Sequence, residues 1–182
     1  MSIEFTSNTY GFNWRNRVIN GDMRINQRSA GAQSISGAWV YPCDQYYAHS
    51  DATVTATIAQ STTAPPGFIN SICVAVTTGA TNTSGQYARI KGVIEGSNVA
   101  DLGWGATGAQ TVTLSFWVRS SLTGQFGGSI ENGAENRSYP FAYTITAANT
   151  WQRVAITIPG DTAGTWTIDT SLGIELNWDL GC

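Results

Sequence analysis

Hydrophobic and polar positions alternate with a period of two through most of the second half of the chain. Val112, Leu114, Phe116 and Val118 alternate with Thr111, Thr113, Ser115, Trp117 and Arg119, the signature of a strand with one buried face. Val154, Ile156 and Ile158 repeat the pattern, as do Ile174, Leu176, Trp178 and Leu180. Gly, Asn, Asp, Thr and Pro turns separate these runs, and Pro65-Pro66-Gly67 and Pro159-Gly160-Asp161 punctuate two of the connections. The pattern predicts strands over 38–41, 46–50, 52–59, 69–77, 86–95, 110–119, 127–131, 139–146, 152–158 and 171–180. About ten short strands at this turn spacing, with no sustained helical period, predict an all-β antiparallel sandwich of jelly-roll type. Val112, Leu114, Phe116, Val118, Val154, Ile156, Ile158, Ile174, Leu176 and Trp178 are its expected core.

The first half is less regular. Residues 1–15 are polar with isolated aromatics (Phe5, Tyr10, Phe12, Trp14) and read as an N-terminal arm, either a disordered tether or an arm that orders by packing on a neighbouring chain. Residues 16–182 form the expected sandwich. Asn20-Gly21-Asp22 marks a turn between two short β-like runs, and 29–37 (SAGAQSISG) reads as a loop.

Composition narrows the function classes. Charged residues make up 12% of the chain, which suits a hydroxyl- and amide-rich β-surface. A net charge of −3 with a single lysine, Lys91, argues against nucleic acid, whose phosphates demand clustered cations. The four arginines between positions 15 and 28 are scattered, not patched. Met1 to Arg15 lacks the charged start and apolar core of a signal peptide, and no apolar run predicts membrane insertion. Cys43, Cys73 and Cys182 form no C-x-x-C pair, so the reading is a reducing compartment, with Cys73 in SICVAV a small buried hydrophobe.

Catalytic and metal chemistry find little support. The lone histidine, His49 in YYAHSD, reads as a strand or surface residue, because sequence neighbours do not assemble a triad and a His/Cys metal site lacks ligands. Among the acids Glu95, Glu131, Glu135, Glu175 and Asp179 no pair stands out for glycosidase work, and Glu175 reads as a solvated surface group. The expectation is therefore no enzyme and no cofactor. The outward positions say more. Trp117 and Arg119 point away from the core of their strand, as do Tyr87, Arg89 and Lys91 in QYARIKGVIE and Glu175, Asn177 and Asp179 in GIELNWDL. An aromatic face can stack on a sugar ring while Arg, Asn and carboxylate groups take its hydroxyls. Trp117, Arg119, Tyr87, Arg89, Asn177 and Asp179 are thus the candidate glycan-binding residues.

NRVINGDMRINQR, AQSTTAPPGFINSICVAV, IEGSNVADLGWG and nearly all of 109–180 resemble a domain of bacteriophage virion proteins. It is found in tail-fibre and tail-spike-like appendages and has a jelly roll like that of carbohydrate-binding modules. The resemblance runs from Asn16 to Leu180, with Asp44-Gln45-Tyr46 standing where the family commonly has Asp-Arg-Trp. It implies a virion protein made in the host cytoplasm, usually trimeric and in contact with other virion proteins, with a structural or receptor-binding role for which host surface polysaccharide is the candidate partner. Capsid decoration or head-fibre duty is the alternative implied, and polysaccharide depolymerase a second. The family pattern continues past Cys182, which implies a closing segment beyond this chain.

Overall fold

The computed structural model describes residues 15–29, 31–51, 54–81 and 83–180, and the backbone of 2–4. The arm aromatics Phe5, Tyr10, Phe12 and Trp14, and Cys182, lie outside the described residues. The strands are β1 (Ser2–Glu4), β2 (Gln33–Ser34), β3 (Val40–Cys43), β4 (Tyr46–Ser50), β5 (Thr55–Ser61), β6 (Ser71–Thr78) and β7 (Ala88–Glu95). After them come β8 (Val112–Val118), β9 (Gly124–Asn132), β10 (Ser138–Ile145), β11 (Gln152–Ile158) and β12 (Leu172–Asp179). Two 3-10 turns, Gly96–Asn98 and Ala100–Leu102, stand between β7 and β8.

Every ladder between these strands is antiparallel. One layer is a six-stranded sheet in the order β10-β9-β12-β7-β4-β3. The other consists of two three-stranded sheets, β1-β8-β11 and β2-β5-β6. This is the two-layer antiparallel sandwich that the period-two runs predict.

Two clusters join the layers. In the larger, Leu114, Phe116 and Ile158 from the β8 sheet meet Ile130, Tyr143, Leu176 and Trp178 from the six-stranded sheet. Phe116 presents its ring nearly edge-on to Tyr143 (centroids 5.1 Å apart) and to Trp178 (5.7 Å), a favourable geometry for aromatic quadrupoles. In the smaller, Ile35, Ala56 and Ile58 cover Ala48 and Ile90. Seven of the ten expected core residues are buried, while Val118, Val154 and Ile156 are half-buried and pack against the rim of the larger cluster.

Several local expectations change. The Asn20-Gly21-Asp22 turn forms, with the Met23 amide donating to the Asn20 carbonyl, but its flanks join no ladder. They are held instead by side chains: the Asn20 amide donates to the carbonyls of Ile25 and Asp44. The expected loop 29–37 contains β2, which pairs with β5 through Gln33 and Ser34. Cys73 is exposed, not buried, because it sits on the outward face of β6; among the described residues Cys43 is the buried thiol.

The loop after β11 is anchored by one carboxylate. Asp161 accepts hydrogen bonds from Arg137 Nε and Nη2 (2.7 Å each), the Ala163 amide and the Trp166 indole. Trp166 in turn packs edge-on against core Trp104, centroids 4.6 Å apart. The Arg137 hydrogen bonds, with those from Ala163 and Trp166, hold Asp161 down to about 2. A carboxyl lowered in the folded state contributes stability that is present above its unfolded value of about 4 and lost as pH falls toward 2. Asp161→Asn is expected to flatten this acid limb. Denaturant titrations followed by tryptophan fluorescence, at about pH 5 and about pH 2.5, measure it; an unchanged limb would remove Asp161 from the account.

Candidate functional site

The outward face of the six-stranded sheet carries an unusual set of side chains. Register places Tyr47, Lys91, Asn177 and Ser129 in one row across β4, β7, β12 and β9. His49, Arg89 and Asp179 form a second row, and Glu175 and Glu131 lie opposite one another in a third. Strand alternation makes this face, because the intervening residues Ala48, Ile90, Leu176 and Ile130 turn inward to the core.

Toward the β3 edge the face is aromatic. Trp39, just before β3, stacks on the His49 imidazole (centroids 4.7 Å apart, planes at 29°) and meets the Tyr47 ring edge-on at 5.1 Å. Tyr87 lies 5.6 Å from His49, and Tyr41 lies 5.8 Å from Tyr47. Five rings therefore form a continuous strip, with Trp39 (41% exposed) and Tyr41 its most open members. The hairpin joining β3 to β4 brings the strip together: Asp44-Gln45 makes its turn, Gln45 taking a left-handed backbone (φ 70°).

Toward β9 the face is ionic. Lys91 donates to Glu175 and to Glu135 (2.5 Å), and its side chain and that of Glu175 are 3% and 4% exposed. Arg89 lies within 3.6 Å of Glu135 and 3.9 Å of Glu131, and Glu131 accepts from Ser129 Oγ at 2.7 Å. The two cations also face the rings: Arg89 lies over Tyr87 at 4.1 Å and Lys91 over Trp39 at 5.5 Å. Such contacts couple the ionic half to the aromatic half. The turn that carries Glu135 is organised by buried Asn132, whose side chain accepts from the Asn136 and Arg137 amides and donates to the Thr165 carbonyl. Glu135 itself adopts a left-handed φ of 52°, a costly conformation for a non-glycine residue.

Electrostatics separate the carboxyls. The Lys91 hydrogen bond holds Glu135 below the ordinary glutamate range, whereas burial raises Glu175 against the pull of Lys91. Burial also raises the Tyr47 phenol, which stays neutral at physiological pH. Three polar groups under the face make no hydrogen bond: His49 Nδ1, Arg89 Nε, and both amide atoms of Asn177, a residue only 4% exposed.

Four of the six predicted residues are on this face: Tyr87, Arg89, Asn177 and Asp179. The other two are not. Trp117 and Arg119 belong to β8 and its end, in the opposite layer. There Trp117 lines a groove of about 730 Å³ between β8 and β6, and Arg119 donates to the Asn149 carbonyl. Alternation locates a residue relative to its own sheet, and Trp117 is outward as expected, but from a different sheet. Glu175 corrects the sequence reading: it is not a solvated surface group but one half of a buried ion pair. Trp39, Tyr41, Tyr47, His49, Glu131 and Glu135 complete the face and were not among the predicted residues. The alternation in YYAHS was the available signal for Tyr47 and His49.

No protein-family model and no curated protein matches the sequence. The solved structures similar to the chain include two at low identity. One is the enzymatically active domain of tailspike protein 4 of bacteriophage CBA120, at 17% identity and a TM-score of 0.44. That match covers 75% of this chain and 17% of the tailspike chain. The other is the family 11 carbohydrate-binding module of a cellulosomal cellulase of Clostridium thermocellum, at 14% identity and a TM-score of 0.38. It covers 85% of this chain and 97% of the module.

Proposed function

We propose that the chain is a non-enzymatic glycan-binding sandwich of a bacteriophage virion appendage, of tail-fibre or receptor-binding type. One observation carries the binding part: the Trp39–His49 stack, with Trp39 open to solvent, continues into a strip of five rings beside ionic groups. Flat rings offer hydrophobic area to the C–H side of a sugar at low entropic cost, and the flanking groups offer donors and acceptors for hydroxyls. The virion setting and the trimer rest on the sequence resemblance. A shallow site of this kind binds at about millimolar strength, and three copies on one appendage raise avidity without new contacts.

A polysaccharide panel immobilised in gels tests the reading, with retardation of the purified chain as readout and light scattering reporting its assembly. Retardation by at least one polysaccharide supports it. Free migration through all of them ends it and favours the capsid-decoration alternative.

A further inference from the structure

The charges on the aromatic-ionic face bear on the class of sugar it takes. Its two central cations already face carboxylates of the same chain. Lys91 lies between Glu175 and Glu135, and Arg89 spans Glu135 and Glu131. Two positive charges thus serve three negative ones, and Asp179, opposite Arg89 in register, adds another acid. Among the described residues, Arg28 is a further cation beside the rings, at the β3 edge with its guanidinium 5.1 Å from the centre of the Tyr41 ring. Of the three glutamates, Glu135 is the most exposed, and Lys91 keeps it ionised.

An anionic sugar laid across the middle of this face would meet Glu135 well inside the screening length of about 8 Å at physiological salt. To gain Lys91 it would have to displace a glutamate from a pair in which both partners are buried, and at Arg89 it would meet Glu135 and Glu131, which lie 3.6 and 3.9 Å from that guanidinium. Hydroxyls face neither obstacle, and an O–H donated to an ionised carboxylate is among the stronger hydrogen bonds. Building on the glycan reading above, we infer that the face selects uncharged, hydroxyl-bearing glycans and discriminates against uronate, sialylated or sulphated chains. Arg89 and Lys91 then position the rings and carboxylates and do not read an anion.

Titration calorimetry with matched oligosaccharides tests this: galactose against galacturonate chains and glucose against glucuronate chains, each at low and high salt. The neutral member is expected to bind at least about tenfold more tightly, since like-charge juxtaposition is costly. Its affinity should be indifferent to salt, while the acidic member gains as salt screens the repulsion. Glu135→Gln should shift the ratio several-fold toward the acidic member, its folding checked by thermal melting. Tighter binding of the acidic member, weakened by added salt, would overturn the inference while leaving glycan binding in place. Binding of neither member of any pair, together with free migration on the panel, would remove the glycan reading and this inference with it.

Discussion

Glu175→Ala is expected to destabilise the fold by about 3–5 kcal/mol, the cost of breaking a buried ion pair from one side. Lys91 is the single lysine of the chain, and its side chain is 3% exposed on a strand in the middle of the sheet. Removing Glu175 leaves that ammonium with Glu135 alone, a partner on a half-exposed turn. Most of the loss is the price of stranding the charge, so it should be largely recovered in the double variant Lys91→Met/Glu175→Leu, which restores apolar packing without ions. Glu135→Ala should cost much less, because Lys91 keeps its buried partner and water reaches the vacated position. Urea denaturation with unchanged slope and a lowered midpoint is the measurement. A Glu175→Ala midpoint equal to that of the unmodified chain would mean that Lys91 reaches solvent and that the cluster contributes nothing to stability.

The sandwich was legible in the chain for a simple reason. Strands buried on one face must alternate, and in 112–118 and 172–179 apolar and polar residues differ enough for the alternation to be seen. The same parity placed Tyr87, Arg89, Lys91, Glu175, Asn177 and Asp179 outward, and those assignments hold. Parity says nothing about which strands are neighbours. Trp117 and Arg89 both face out, yet they face out of opposite layers, a fact fixed only by long-range pairing of β8 with β11 and of β7 with β4 and β12. The aromatic strip escaped for a different reason. Tyr46 and Tyr47 are chemically alike, although Tyr46 is buried in the core and Tyr47 lies on the outer face. A register shift between β3 and β4 further blurs the period around Trp39 and Tyr41. Glu175 was misread because burial of a charge depends on a partner 84 positions away in sequence.

Trp39→Ala is expected to abolish detectable glycan binding, a loss of at least about tenfold or 1.4 kcal/mol, whereas Trp117→Ala is expected to preserve it. Trp39 is the ring that touches the most of its fellows, meeting Tyr47, His49 and Tyr87, and it is open to solvent. Deleting it removes a stacking platform and leaves His49 and Tyr47 without the neighbour that orients them. At a millimolar site there is little affinity to spare, so the loss of one ring takes binding below detection. Trp117 stands on the far side of the core, beside the groove between β8 and β6, where no sugar on the aromatic strip can reach it. Trp39→Phe separates stacking from folding: it keeps a flat face and should retain part of the affinity. Gel retardation of the four chains, with melting temperatures alongside, gives the comparison. If Trp117→Ala loses binding and Trp39→Ala keeps it, the glycan lies in the groove of the opposite layer, and the strip of rings is a structural feature of the six-stranded sheet.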